Sequence, residues 1–274
     1  IFINYVIKSQ MYIHNLDPIL VQLGFFSLRW YSLAYIFGIL FGWWYGRKII
    51  YFLKNNYNSG VDKKDFDDLI TYIIISIIIG GRLGYVLFYD FSYFLSNFFE
   101  VFKIWNGGMS FHGGLIGVII GIIIFAKKKK IKAFLLLDII SVVAPIGLFF
   151  GRIANFINSE LYGKPTSFFL GVIFPKVDMT PRHPSQLYEA FLEGIILFSL
   201  LNLIIILTKY RSGICSCLFL IFYGTFRIIS ELFREPDEHI GYIINNISMG
   251  SFLSFFMIIS GIYLFLNLKK YESK

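Results

Sequence analysis

Charge is what this sequence is short of. Only 15% of its 274 residues are Asp, Glu, Lys or Arg, against about a quarter in an ordinary water-soluble domain. With 57% hydrophobic and 20% aromatic residues, the excess apolar surface must face something other than water. Cysteine is nearly absent. Cys215 and Cys217 stand one residue apart, lack metal-ligand spacing and read as small apolar fillers. No His-Glu-x-x-His, Gly-x-Ser-x-Gly or Walker-type sequence occurs, which argues against a zinc protease, a serine lipase and an ATPase. The alternating pattern of a membrane β-barrel is missing, and so are the repeats and paired broken helices of many transporters. The first twenty residues lack a basic segment, an apolar stretch and a small-residue cleavage site. The first long apolar run is therefore expected to act as an uncleaved signal-anchor.

What is present is apolar length. A helix needs about 20 residues to cross a hydrocarbon core of about 30 Å, and seven segments qualify: Phe25–Gly46, Leu69–Tyr89, Met109–Ala126, Ala133–Gly151, Leu187–Thr208, Gly213–Phe233 and Ile247–Leu268. Backbone groups in lipid need partners within the segment, so the spans must be helices. The expectation is an all-α, polytopic protein of one membrane domain over residues 1–274. A small cap is expected over about 152–186, where Pro165, Pro175, Pro181 and Pro184 cluster. The glycines at 113, 117 and 121, and at 147 and 151, are four apart, a spacing that lets helix backbones approach closely.

The net charge of +8 would suggest nucleic acid in a soluble protein. Its distribution says otherwise. Arg47, Lys48, Lys54, Lys63 and Lys64 follow the first span, and Lys127–Lys130 with Lys132 follow the third. Lys209 and Arg211 follow the fifth, and Lys269, Lys270 and Lys274 the seventh. These fifteen of the 25 basic residues lie on one side, which the positive-inside rule makes cytoplasmic. The N-terminus and the loops 90–108, 152–186 and 234–246 then face the periplasm. The lysine run is a topology signal, and no nucleic-acid partner is expected.

Ionisable groups inside a membrane cost at least about 2.5–3.5 kcal/mol each at mid-span and usually face a partner or cavity. Arg29, Arg82, His112, Asp138, Arg152, Glu189, Glu193, Arg227 and Glu231 lie in or beside the spans. Tyr223, Arg227, Glu231 and Arg234 are four, four and three apart, one stripe of a helix. A simple i,i+4 pair of Arg227 and Glu231 is the plain alternative; a stripe ending in a second arginine better fits a wet, anion-receiving groove. If the fourth helix persists a turn, Arg152, Asn155 and Ser159 share a face. Arg152 could alternatively snorkel to the interface. His112 stands before two glycines at the start of the third span. An interfacial histidine is often only a hydrogen-bonder, but its intrinsic pKa suits a base near neutral pH.

Five blocks carry a resemblance. They are Arg29-Trp30-Tyr31, Phe111-His112-Gly113-Gly114-Leu115, Gly151-Arg152-x-x-Asn155-Phe156-Ile157-Asn158-x-Glu160-x-x-Gly163, His183-Pro184-Ser185-Gln186-Leu187-Tyr188-Glu189-Ala190 and Tyr223-Gly224-x-x-Arg227-x-x-x-Glu231-x-x-Arg234-Glu235-Pro236-Asp237. In this order they resemble the prolipoprotein diacylglyceryl transferases. The sequence departs from the family's habit at Ser32 and Ser159, where glycine is frequent, and at His239, where glutamine is common.

The resemblance implies transfer of the diacylglyceryl group from phosphatidylglycerol to the thiol of a lipobox cysteine in a prolipoprotein signal peptide. A thioether forms and glycerol phosphate leaves. It implies phosphatidylglycerol binding at Arg152 and activity-linked roles at Tyr31, His112, Asn155, Glu160, Gly163, Arg227 and Glu231. It further implies a multi-pass protein of the bacterial inner membrane. The chemistry needs no cofactor and no metal. Arginine suits the leaving phosphate, since its planar fork binds oxygens in pairs; Arg152 and Arg227 are the candidates, with Arg234 recruiting, Tyr223 lining the groove and Glu231 holding Arg227 in place beside the substrate. Asn155 and Tyr31 are expected to hydrogen-bond the head group. For the thiol, mostly protonated at neutral pH, His112 is the favoured base, Glu160 the rival, and arginine-assisted ionisation a third route. An anion transporter and a non-catalytic scaffold are the rival classes.

Overall fold

The structure, a computed structural model, describes residues 11–24, 26–57, 59–88, 91–207, 210–236, 242–244 and 247–268. It is mostly helical. Five helices among the described residues are long and apolar enough to cross a membrane: Lys63–Leu87, Ala133–Asn158, Ser185–Leu207, Ile214–Glu231 and Met249–Leu266. Helices Trp30–Tyr57 and Phe111–Lys129 occupy the other two segments read as spans. In chain order the long helices are α1 (Trp30–Tyr57), α2 (Lys63–Phe88), α4 (Phe111–Lys129), α5 (Ala133–Asn158), α6 (Ser185–Leu207), α7 (Ile214–Glu231) and α8 (Met249–Leu266), with a short α3 (Phe91–Ser96).

Several boundaries differ from the sequence reading: the first helix runs on past Gly46 to Tyr57, and the second starts before Leu69, at Lys63. Arg29 is not in the first helix; it closes β3 (Phe26–Arg29), which pairs antiparallel with β2 (Ile19–Leu23). The fourth helix continues past Gly151 to Asn158, so Arg152 and Asn155 are helical and the irregular chain begins at Ser159. An apolar count stops at the first polar cluster, but a helix continues wherever its side chains find partners in the protein. Short strands outside the helices also went unread. β1 (Tyr12–Ile13) runs parallel to β4 (Val172–Ile173), which pairs with β5 (Pro181–Arg182). β6 (Tyr242–Ile244) pairs with β7 (Ile247–Ser248). Two-residue strands are too short to show the alternation that marks a strand in sequence.

The chain divides into two compact units, Gly46–Ile140 and Ile1–Tyr45 with Ser141–Lys274. In the Gly46–Ile140 unit, α2 and α4 pack on a glycine seam. A Cβ on Gly84 would lie 2.7 Å from Gly113 Cα, and one on Gly80 would lie 2.9 Å from Gly117 Cα. Side chains there would push the helices apart. The other face of α4 carries Ile116, Ile120 and Ile124, all about half exposed, as apolar surface meeting lipid would be. Ser110 caps α4 by accepting from the Gly113 amide at 3.2 Å.

Arg82 has a structural explanation within this unit. Its Nε donates to Val101 O (2.8 Å), Nη1 to Gly107 O (2.5 Å) and Gly108 O (3.1 Å), and Nη2 to Glu100 O (2.6 Å) and Lys103 O (3.3 Å). One guanidinium thus satisfies the carbonyls of a turn that has little regular structure of its own. Arg82→Gln is expected to loosen segment 97–110, since charge-assisted hydrogen bonds contribute about 1.5–3 kcal/mol each before overlap. Limited proteolysis should find new cleavage there, with turnover falling less than for the site arginines described below.

In the larger unit, α1 meets α5 where a Cβ on Gly38 would lie 3.1 Å from Gly147 Cα. Phe41 stacks on Phe150 at 5.8 Å beside this contact. α7 and α8 approach through Gly224 and Gly261, whose added Cβ atoms would lie 2.8 Å from Ser254 O and 2.9 Å from Cys217 O. β1 brings His14 against β4 and the end of α5. Its amide donates to Ile173 O (2.8 Å), its Nδ1 pairs with Ser159 Oγ (3.1 Å), and its ring packs on Phe156 and Phe174. Burial holds the imidazole below its ordinary value of 6.5. The unfolded chain therefore binds the proton more readily. This contribution to stability is complete above 6.5 and is lost as pH falls through the lowered value. Hydrogen exchange of the His14 amide, corrected for its intrinsic rate, should lose protection in mild acid, and a His14→Phe variant should not.

Candidate active site

Three arginines and three glutamates converge within the larger unit. On α7, Tyr223, Arg227 and Glu231 recur every four residues and share a face, with Arg234 just beyond. On α6, Glu189 and Glu193 are again four apart. They fall where α-helix gives way to a π segment, Ala190–Ile196, an irregularity frequent at functional sites. Gly194 lets this segment press on α5, since a Cβ there would lie 2.8 Å from Phe149 Cβ. Arg152 of α5 is thereby brought to the carboxylates.

Glu189 is the hub. Its Oε2 lies 2.9 Å from Arg152 Nε, and its Oε1 lies 2.7 Å from Arg227 Nη1 and 3.6 Å from Arg234 Nη1. Glu193 lies 3.3 Å from Arg152 Nη2 and 3.6 Å from Arg227 Nη1. Glu231 holds the other arm of Arg227 at 2.5 Å and lies 3.7 Å from Arg234. Gly250 at the start of α8 leaves room for the Glu231 carboxylate, which a Cβ would overlap. Glu189 and Glu193 are fully buried, while the Arg152 and Arg227 side chains keep 15% and 11% of their surface. Tyr223 is buried within electrostatic range of Glu193, Arg227, Arg152 and Glu189. Formal charges balance, three against three. Buried ions are tolerated only when paired. Not every contact is well made, for Arg152 Nε, Glu189 Oε2 and Glu193 Oε1 are buried without a hydrogen bond of good geometry.

One turn beyond Arg152 lies a second polar group. Asn155 Nδ2 donates to Glu160 Oε2 (3.0 Å), and Asn158 Nδ2 to Glu160 Oε1 (3.1 Å). The exposed Glu160 carboxylate is thus gripped by two amides, and the buried Gln186 donates to its backbone carbonyl at 2.6 Å. The turn is tight: Ser159 and Leu161 adopt φ of 60° and 56°, values that L side chains rarely take. Ser159 therefore stands at a position that suits glycine. The Tyr35 hydroxyl donates to that of Tyr31 (3.4 Å) and lies within electrostatic range of Glu160.

Gly163 is a pinch point. Its amide donates to His183 O (2.9 Å), its carbonyl accepts from Arg182 (3.1 Å), and it forms an antiparallel bridge with Arg234. A Cβ would lie 2.7 Å from both His183 Cβ and Phe233 O. Arg182 also pairs with Asp178 (2.6 Å) and Glu235 (3.2 Å) and lies over the Tyr162 ring.

Of the residues singled out in sequence, the structure brings Arg152, Tyr223, Arg227, Glu231 and Arg234 into one cluster and Asn155 and Glu160 into the adjoining one. Gly163 is bridged to Arg234, and Tyr31 sits beside Tyr35 in the first turns of α1. His112 opens α4 in the Gly46–Ile140 unit, and its side chain lies outside the described residues. The sequence reading gave no site role to Glu189 and Glu193. Their four-residue spacing in an apolar helix, after His183-Pro184-Ser185-Gln186, was the available signal.

Residues 18–267 match the family model of prolipoprotein diacylglyceryl transferase. The chain is similar to phosphatidylglycerol–prolipoprotein diacylglyceryl transferase of Rickettsia bellii (strain OSU 85-389), 51% identical over 255 residues, 92% of this chain and 95% of the relative. The enzyme of the same name from Rickettsia typhi is 51% identical over 260 residues, 94% of this chain and 99% of the relative.

Proposed function

The chain belongs to the prolipoprotein diacylglyceryl transferase family, and we propose that its arginine–glutamate cluster grips the phosphodiester of phosphatidylglycerol during the transfer. The protein is a membrane transferase of lipoprotein biosynthesis, moving the diacylglyceryl group from phosphatidylglycerol to a prolipoprotein. One observation carries the site assignment: Arg152 and Arg227, from different helices, both contact Glu189, at 2.9 and 2.7 Å.

The reaction is displacement at a glycerol carbon. The thiol of the lipobox cysteine attacks, the carbon–oxygen bond to phosphate breaks, and glycerol phosphate leaves with the electron pair. Charge builds on the leaving oxygens, where Arg152 and Arg227 meet it. At about 4 Å and an effective dielectric of about 20, each guanidinium contributes roughly 4 kcal/mol before desolvation. Arg234 recruits the anion, Glu231 holds Arg227, and Tyr223 borders the groove. Asn155 and Asn158 set the Glu160 carboxylate to accept from the glycerol hydroxyls, with Tyr31 beside it. Gly163 acts through its backbone. In this reading the chain crosses the membrane seven times, with the N-terminus outside and the C-terminus in the cytoplasm; the one-sided basic loops support it, and the site then lies toward the periplasmic leaflet, where the signal peptide arrives.

His112 is the proposed acceptor of the thiol proton. Glu160, whose two oxygens already accept from Asn155 and Asn158, is assigned to the glycerol hydroxyls instead. His112→Gln should lower kcat about a hundredfold, in the range of lost general-base catalysis, and should flatten the acid limb of the pH profile. Near-normal turnover at neutral pH would remove histidine from the role. The activity itself is tested with purified protein, phosphatidylglycerol and a lipobox peptide. A thioether-linked diacylglyceryl peptide with one released glycerol phosphate is expected. Solute flux into vesicles without that product would favour a transporter instead.

A further inference from the structure

By formal charge the cluster is balanced, three arginines against three glutamates, and its partners are unequally held. Glu231 and Glu189 each make an ion pair of 2.7 Å or shorter, whereas Glu193 has none closer than 3.3 Å. Glu193 is nonetheless fully buried, and its Oε1 accepts no hydrogen bond. The groups facing it are Arg152 from α5, Arg227 and Tyr223 from α7, and Glu189 on its own helix; Arg234 and Glu231 stand behind Arg227 and Glu189. A phosphodiester seated on Arg152 and Arg227 brings a fourth negative charge into this closed set and draws on the guanidinium arms that compensate Glu193. A buried carboxylate that loses its compensation takes a proton rather than remain charged.

We propose that Glu193 takes up one proton when phosphatidylglycerol binds, so that lipid binding and Glu193 protonation are one coupled event. The inference rests on the phosphate-binding reading of Arg152 and Arg227. It makes the substrate, rather than a bulk pH change, the trigger of protonation. Departure of glycerol phosphate returns the arginines to the carboxylates and the proton to water.

Calorimetric titration of the full-length protein, in phosphatidylcholine nanodiscs, with short-chain phosphatidylglycerol tests this. Paired buffers of different ionisation enthalpy count the protons. About one proton taken up per lipid is expected at neutral pH, with affinity falling about tenfold per pH unit as pH rises through that range. The lipid phosphate stays a monoanion throughout. Glu193→Gln, which is neutral already, should bind without proton uptake and with a flat pH dependence. Its affinity should exceed that of the parent in alkali. Lipid binding by the parent protein without proton uptake overturns the proposal, and this needs no variant to fold. Unchanged uptake in Glu193→Gln overturns it as well. Failure of the parent to bind phosphatidylglycerol at all sinks the phosphate-site reading instead.

Discussion

Arg152→Gln is expected to lower kcat/KM for phosphatidylglycerol about a thousandfold, with much of the loss in kcat. Removing one preorganised donor from a developing anion costs about a hundred- to a thousandfold in other enzymes. Here the substitution does a second thing, leaving Glu189 and Glu193 with one positive partner fewer in a buried setting. Breaking a buried pair from one side destabilises by about 3–5 kcal/mol, so the thermal midpoint should fall together with activity. Glu193→Gln on the Arg152→Gln background restores the charge balance. The double variant should regain stability without regaining turnover, which separates the two effects. A loss of less than tenfold in Arg152→Gln would exclude Arg152 from the phosphate site.

Gly163→Ala is expected to abolish activity with no charged group touched. The added methyl has no low-cost accommodation, because two of its neighbours are the backbone oxygens of His183 and Phe233. Overpacking typically costs about 1–3 kcal/mol, and here the forced shift falls on the bridge that joins Gly163 to Arg234. Arg234 moves with that bridge, away from Glu189 and Glu231. Trypsin should cut the segment 159–184 of the variant faster, and turnover should be undetectable. A variant with intact protease resistance and turnover within tenfold of the parent would show that the pinch yields.

Much of this arrangement was legible in the chain. Long apolar runs locate the helices, since lipid permits no other economical backbone. The four-residue stripe on α7 announces a polar face inside an apolar segment, and the glycines four apart on α4 announce a close helix contact, whose partner, α2, only the structure shows. What stayed hidden depends on distant partners. Arg82 read as an unexplained intramembrane charge because the carbonyls it satisfies belong to a turn some twenty residues on. The π segment carries no propensity signature, so the facing of Glu189 and Glu193 toward Arg152 could not be read from spacing. The extension of α5 to Asn158 was masked by the polar residues that make it useful. Strands β1 and β4 are two residues long and lie far apart in the chain.

The irregular stretch of α6 also sets a phase. A π turn absorbs an extra residue, so the helix above and below it is offset by about 100° relative to one uninterrupted α-helix. The upper half carries Glu189 among the arginines. The lower half carries Asn202, which accepts from the Tyr45 hydroxyl of α1. One rod therefore addresses two azimuths, and excising a single residue between Ala190 and Ile196 would put one anchorage out of alignment whenever the other was kept.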